Sequence, residues 1–339
     1  VSQHFIENIK IENFKCFENL EINDFKRVNV FGGKNNVGKT ALLEAIELLV
    51  KSVEPNSLIY NSYLLLKNRQ QRSKNITLDF YKDFPHRFEI KSNIRTINIA
   101  VDNLVEFHTT NTSIANIEFS VNHGKSNFST ENFSNGNLYG ALHDYFKNII
   151  FNSYFIKSSK IDDKFLSVLY GFVSELNKED FVNNSINNFD SSIMTFKIIQ
   201  TEDEAIPKLK IQGRDKLVPL SEMGDGISRY VTILCAIWAS QNGFLFIDEI
   251  ENGIHYSNYK KLWELIFMAS EQANCQVFVT THSKECIEAF NNVQQERNDD
   301  TGRYFELYRS EKKQRIVAAV RDAEQLHYSL THGAAIRGE

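Results

Sequence analysis

Between Phe5 and Phe14 the chain alternates apolar and polar residues, Phe-Ile-Glu-Asn-Ile-Lys-Ile-Glu-Asn-Phe, the period of two that a half-buried strand requires. Val28-Asn29-Val30-Phe31 is a short apolar run ending in glycine and predicts a buried strand from Arg27. A helix is expected from about Gly38 to Lys51, then a break near Pro55-Asn56-Ser57. From about 72 to 125 short β-like runs follow one another: Ile76 to Tyr81, Arg87 to Ile90, Ile94 to Val101, Leu104 to His108 and Ala115 to Val121. Turns at Val101-Asp102-Asn103 and Asn122-His123-Gly124 separate them. The stretch Ser126 to Asn137 is polar and reads as a loop. Residues 138 to 190 read as mainly helical, with one apolar run at Ile149 to Ile156 and a core face on Ile161 to Leu176. Short strands return at Met194 to Ile199, Leu209 to Gln212 and Leu217 to Leu220. Helices at Met223 to Ser240 and Tyr256 to Gln272 alternate with buried strands at Gly243 to Ile247 and Gln276 to Thr280. A short helix near Lys284, a hairpin (Tyr304 to Tyr308, Arg315 to Val320) and an amphipathic helix at Asp322 to Leu330 complete the pattern.

Strands alternating with helices in the outer parts predict an α/β fold, a mixed and mostly parallel sheet with flanking helices. The expected organisation is a split nucleotide-binding domain, 1–54 plus 216–339, around an insertion at 55–215. That insertion holds an antiparallel β subdomain (about 72–125) and a helical section (about 138–190).

Composition narrows the classes. The 339 residues are 42% hydrophobic and 24% charged, as in a globular protein with a large core, and the net charge is −5. A strongly basic nucleic-acid binder is excluded, so DNA contact would need a local patch and would be weak for the chain alone. Cys16, Cys235, Cys275 and Cys286 are scattered without a C-x-x-C pair, which reads as reduced thiols. No signal segment and no apolar run near the roughly 20 residues of a membrane span is present, so the expectation is cytoplasmic, with no membrane partner.

The chemistry is concentrated in four places. Gly33-Lys34-Asn35-Asn36-Val37-Gly38-Lys39-Thr40 is a complete G-x-x-x-x-G-K-[ST] loop between a strand and a helix. Its glycines let backbone N–H groups close around phosphate oxygens at a helix N-terminus. Lys39 is placed to reach the β- and γ-phosphates of ATP, and the Thr40 hydroxyl to coordinate Mg²⁺. Phe244-Leu245-Phe246-Ile247-Asp248-Glu249 is an apolar strand ending in two acids, Asp248 for the Mg²⁺ shell and Glu249 as general base on water. His282 ends the next buried strand, 34 residues after Asp248, and could contact a γ-phosphate. Ser221 precedes Gly224, Gly226 and a helix, and is expected to be its N-cap.

This order of motifs resembles the ABC-type ATPase set shared by transporters, SMC-like proteins and RecF, and more closely the OLD-like bacterial ATPases of the RloA type. The resembling stretches are Asn13-Phe14-Lys15-Cys16-Phe17, Gly33 to Thr40, Pro219 to Arg229, Asp248 to His255 and Thr280-Thr281-His282-Ser283. The resemblance implies a P-loop NTPase of ABC type acting as a head-to-tail homodimer. ATP would lie between Lys39 of one subunit and Ser221 with Gly224 or Gly226 of the other. It also implies nucleotide contact by Lys15 and a position for Asn252 on the loop after the catalytic acid, facing the dimer interface. Because no Toprim-like acidic set follows, a nuclease would be a separate effector. Such ATPases resemble sensor subunits of antiphage systems. The alternatives are a RecF-like DNA-clamping repair ATPase and a non-hydrolysing nucleotide-gated scaffold, against which Glu249 speaks.

Overall fold

The computed structural model describes residues 5–69, 87–107, 112–129, 152–159, 161–202 and 204–332. Its centre is a six-stranded sheet ordered β15-β14-β3-β13-β12-β8. β3 (Val28–Gly32), β8 (Ser153–Ile156), β12 (Phe244–Ile247), β13 (Gln276–Thr280) and β14 (Gly302–Ser310) run parallel. β15 (Arg315–Arg321) folds back on β14 as an antiparallel hairpin. The period of two sorts the side chains. Val28, Val30, Leu245, Ile247, Val277 and Val279 enter one core, with α5 (Asp225–Ala239), α6 (Tyr259–Gln272) and α7 (Lys284–Arg297). Phe31, Phe246, Phe278 and Phe305 enter the other. Those rings form a row across the strands, with centroids 5.3 Å apart for Phe31–Phe305, 6.3 Å for Phe31–Phe278 and 5.6 Å for Phe246–Phe278. Each buried Phe contributes about 1.5–3 kcal/mol, so the row fixes the register that aligns the strand ends.

A second, antiparallel sheet covers the phenylalanine face, with α1 (Lys39–Lys51) between the two. Its order is β2-β1-β4-β5-β6-β7, from β1 (Asn8–Phe14), β2 (Phe17–Asn23), β4 (Arg87–Ser92), β5 (Thr96–Phe107), β6 (Thr112–Val121) and β7 (Gly124–Ser129). β1 pairs directly with β4, and β8 is an edge of the parallel sheet. Residues 1–54 and the expected insertion 55–215 therefore share both sheets. A third, three-stranded sheet ordered β11-β10-β9 comprises β9 (Ile193–Gln200), β10 (Ala205–Ile211) and β11 (Val218–Pro219). It packs on α3 (Asp163–Glu175) and α4 (Glu179–Phe189).

Several local expectations change. The break at Pro55 is the first turn of α2 (Pro55–Arg69), where a proline lacks no needed donor. The expected turn at Val101-Asp102-Asn103 is a register shift within continuous β5. Residues 126–129, read as loop, are strand β7, and the apolar run before 156 is strand β8 in a section expected to be helical. β2 was not anticipated, and α7 is longer than the short helix expected. The expected Ile76–Tyr81 strand and the segments 130–151 and 333–339 lie outside the described residues. α8 (Ala323–Thr331) starts at Asp322 with a reciprocal cap to Gln325.

Candidate nucleotide site

Four parallel strands, β3, β13, β12 and β8, end at one edge of the central sheet, where ligands of open α/β sheets bind. β3 delivers the Gly33–Thr40 loop. Gly33 (φ +131°) passes so close to β14 that a Cβ there would stand 2.2 Å from the Leu307 carbonyl oxygen. Gly38 (φ +84°) caps α1 without a side-chain bond, and a Cβ on it would meet Cys16 Sγ at 2.5 Å and the Phe17 ring at 2.8 Å. The β1–β2 turn therefore presses on the loop. Lys15, at φ 54° in that turn, pairs with Glu44 of α1. Lys34, Asn35 and Asn36 are exposed, Asn36 at φ 62°, and Val37 is buried beneath them. α1 starts at the loop with no side-chain cap, which leaves the helix N-terminal N–H groups that anion binding needs.

Inside the loop, Lys39 Nζ donates to the carbonyls of Gly33 and Lys34, both at 2.8 Å. Burial lowers its pKa, and the Glu251, Glu249 and Asp248 carboxylates oppose that shift. Thr40 Oγ1 lies 3.0 and 3.1 Å from the two Asp248 oxygens. Asp248 also accepts from Thr280 Oγ1 at 2.6 Å. Burial raises its pKa above the usual carboxylate range, against the hydrogen bonds from Thr280 and Thr40. A hydroxyl and a buried carboxylate disfavoured as an isolated anion are hard oxygen donors that suit Mg²⁺.

Glu249 follows at φ 49°, a left-handed conformation that is strained for this residue. Its N–H donates to Thr280 Oγ1 (2.8 Å), and its Oε2 accepts from Asn252 Nδ2 (2.8 Å). Asn252 Nδ2 also reaches the Ser158 carbonyl at 3.2 Å, so its amide is engaged within its own chain. His282 is 42% exposed at its side chain; its N–H and Nδ1 lie 2.8 and 2.9 Å from Glu251 Oε1, which joins the loops after β12 and β13.

Arg229, 3% exposed on α5, was missed as a site residue. Its Nη1 donates to the Lys157 carbonyl at 2.8 Å and its Nη2 to those of Asp248 and Glu249 at 2.6 and 2.9 Å. Burial lowers its pKa against the pull of Glu251, Asp248 and Glu249. A single charge among Ile227, Tyr230, Val231 and Ile233 was the available signal, since a lone charge on a core face must find acceptors. Glu251 and Thr280 carried no comparable signal.

The signature segment differs from expectation. Ser221 is exposed in a 3₁₀ turn, Leu220–Glu222, and the N-cap of α5 is Gly224 (φ +90°) with no side-chain cap. Nothing stands within 4 Å of a Cβ built on Gly224, whereas one on Gly226 would meet the Gly253 carbonyl oxygen at 2.6 Å. Gly226 is thus a packing glycine against the loop after Glu249, and Gly224 has the open face. A cavity of about 140 Å³ lies between Ser221, Asp225 and Ser228 on one side and Ser158, Asn252 and Gly253 on the other.

Residues 28–288 match the family model described as "AAA domain, putative AbiEii toxin, Type IV TA system". The chain belongs to this AAA family. A Helicobacter pylori protein named ATP/GTP phosphatase is 26% identical over 340 residues, covering 86% of this chain and 89% of its own. RecF of Listeria monocytogenes is 50% identical over 44 residues, 13% of this chain and 12% of its own. Two solved structures share the fold. The Smc head bound to the C-winged helix domain of ScpA has TM-score 0.54 and 14% identity, covering 94% of this chain and 99% of that one. The Pyrococcus furiosus Smc head with an extended coiled coil, bound to the C-terminal domain of ScpA, has TM-score 0.53 and 13% identity, covering 97% and 99%. The fold of this AAA-family chain is that of the P-loop ABC-type ATPase, and the relative named ATP/GTP phosphatase suggests nucleotide hydrolysis at family level. Among the described residues no helix is long and apolar enough to cross a membrane.

Proposed function

We propose that this AAA-family ATPase is a switch that closes and opens as a head-to-tail homodimer. The observation that carries the reading is a contrast within one chain. Lys39, Thr40, Asp248 and Glu249 converge at one sheet edge, while Ser221 and Gly224 offer an open, uncapped helix N-terminus to solvent. In this reading Lys39 neutralises phosphate charge. Thr40 and Asp248 would hold Mg²⁺, which would supply neutralisation of phosphate charge. Glu249 takes a proton from the attacking water, Asn252 orients that carboxylate, and Glu251 orients His282. Ser221 and Gly224 complete the partner's site, since a free helix N-terminus binds anions.

The role we assign is that of a cytoplasmic sensor subunit controlling a separate effector, a nuclease of Toprim type being the class considered, in antiphage defence. The toxin-system wording of the family supports an effector-linked role. A RecF-like repair role is the second reading, favoured by the 44-residue RecF match. Because the Helicobacter pylori relative is named for both nucleotides, ATP and GTP belong in every assay.

The test is complementation in trans. Lys39→Ala and Ser221→Arg chains are expected to be inactive alone, and mixing them is expected to restore hydrolysis up to one composite site per heterodimer. No recovery with heterodimers confirmed by mass would count against the shared site. A Ser221→Arg chain of normal turnover would remove the signature from the mechanism.

A further inference from the structure

Glu251 lies where three motifs meet, and one of its two carboxylate oxygens has no task in the site described above. The residue is 8% exposed, on the turn after Glu249. Its Oε1 accepts from the His282 backbone N–H and lies 2.9 Å from His282 Nδ1. Its Oε2 is buried and meets no donor among the described residues. Arg229 rests against the same turn, since its Nη2 donates to the carbonyls of Asp248 and Glu249. It is 3% exposed, and its Nε is likewise buried without a partner among the described residues. Burial depresses the pKa of both Lys39 and Arg229, and in each case Glu251 is the carboxylate that opposes this most, ahead of Asp248 and Glu249. Lys39 also has a donor to spare. An ammonium carries three, and two go to the carbonyls of Gly33 and Lys34. A buried polar group left unpaired carries the full cost of its desolvation, so native structures keep few of them. The two leftovers here are a donor and an acceptor of opposite charge on one turn, and a small shift of α5 against that turn can satisfy both.

We propose that Glu251 is a relay: a γ-phosphate held by Lys39 and His282 turns its Oε2 onto Arg229 Nε, and this bond draws the start of α5 against the turn at Asn252-Gly253. The inference rests on the ATPase reading above. Its driving force is charge. A triphosphate competes with Glu251 for Lys39 and His282 and repels its free oxygen, and the cation left to Glu251 is Arg229. The bond is charge-assisted, which makes it stronger than a neutral one. The path from there to the signature is short. The Ile254 N–H closes the turn onto the Glu251 carbonyl at 3.0 Å. A Cβ on Gly226 would stand 2.6 Å from the Gly253 carbonyl oxygen, so the first turn of α5 is already seated on that loop. Gly224 is two residues before Gly226, and Ser221 is in the 3₁₀ turn that precedes it. Glu251 acts here through His282 and Arg229, as a positioning residue. A diphosphate, lacking the γ-phosphate, would leave the relay unset.

The measurement is amide hydrogen exchange of residues 220–229, at a dilution where light scattering shows only monomer. The chain is compared with the diphosphate and with a non-hydrolysable triphosphate analogue, of adenosine and of guanosine in turn. In the wild type the analogue should slow exchange in this segment by about fivefold or more relative to the diphosphate. Glu251→Gln can keep an oxygen for His282 but puts an NH₂ where Arg229 needs an acceptor. It should bind the analogue at least as tightly, because a neighbouring negative charge is gone, and lose the analogue-specific protection. Arg229→Met should lose the same protection, and the double variant should lose no more than either single, because each removes the same bond. Glu249→Gln, which alters the proposed base and not the relay, should keep it. Wild-type protection in Glu251→Gln would overturn the relay. So would additive losses in the double variant, which would make Glu251 and Arg229 independent. A merely structural Glu251 would show itself as a lower melting temperature without nucleotide and an intact analogue-specific protection. Failure of the wild type to bind any of the nucleotides would overturn the ATPase reading and the relay together. Binding of diphosphate and analogue with no difference at 220–229 would overturn the relay alone.

Discussion

The phosphate-loop edge and the signature segment are built to opposite rules. At the edge, every side chain with a proposed chemical role is engaged by its own chain, although α1, like α5, starts at a glycine without a side-chain cap: Lys39 by two carbonyls, Thr40 by Asp248, Glu249 by Asn252, His282 by Glu251. In the signature segment Ser221 is exposed, and Gly224 leaves α5 uncapped beside open space. Orphan N–H groups at a helix start are ordinarily capped by a side chain or met by water or a ligand. The side chains of one region are therefore held in geometry before any ligand arrives, and the other region offers a helix start with no side chain fixed beside it. Two structural links join the halves within the chain: Arg229 runs from the signature helix to the carbonyls of Asp248 and Glu249, and Gly226 packs on Gly253.

The largest expected effect falls on the pre-held half. Glu249→Gln keeps the shape of the side chain and its oxygen acceptor for Asn252, but cannot take a proton. Turnover should fall by about 10²–10⁴-fold, the usual worth of a general base, with nucleotide affinity kept. ATP should then accumulate the dimer, read by light scattering. Turnover equal to wild type would assign the base elsewhere.

What the sequence disclosed follows the same division. The loop, β12 and β13 were legible because buried parallel strands are short unbroken apolar runs, here punctuated by glycines, two acids and a histidine. Pairings distant in sequence were not. Nothing local tells that Asn8–Phe14 meets Arg87–Ser92, or that Ser153–Ile156 flanks Phe244–Ile247, since a four-residue apolar run fits helix and strand alike. The Pro55 reading failed because proline both ends one element and starts the next. Ser221 looked like a cap by residue type, but the backbone turns at Gly224, three residues later. Asn252 was assigned to the interface from resemblance, and its bond to Glu249 depends on the left-handed turn at Glu249, which residue type does not announce.

An intermediate effect is expected at the Arg229 link. Arg229→Met fills much of the same volume and deprives three carbonyls, that of Asp248 buried, of a charged donor. Hydrogen bonds to charged groups contribute about 1.5–3 kcal/mol each and do not add, so a loss of a few kcal/mol is expected. If the guanidinium also fixes the Glu249 peptide, saturated turnover should drop at least tenfold while nucleotide affinity changes little. Arg229→Lys can restore part of the donor set and should recover part of the stability. A Met variant with unchanged melting temperature and turnover would reduce Arg229 to a bystander.

The smallest effects separate the two signature glycines. An alanine at 226 places its methyl 2.6 Å from the Gly253 oxygen, so helix or loop must shift. Overpacking of that kind costs about 1–3 kcal/mol, and it displaces the turn that carries Asn252. Gly226→Ala should therefore lower the melting temperature and turnover together. An alanine at 224 meets no atom within 4 Å but must adopt φ +90°. The strain is about 1–3 kcal/mol, some of which a small backbone rotation can relieve at this exposed site. Its methyl would stand on the open face, where in the proposed dimer a partner's phosphate would approach. Gly224→Ala should keep nucleotide binding by the isolated chain and lose turnover several-fold, more steeply at low protein concentration, where dimer formation limits the rate. If instead Gly224→Ala is silent while Gly226→Ala loses turnover without losing stability, the partner-facing glycine is 226, and the contrast between a pre-held half-site and an open one would have to be drawn at a different residue.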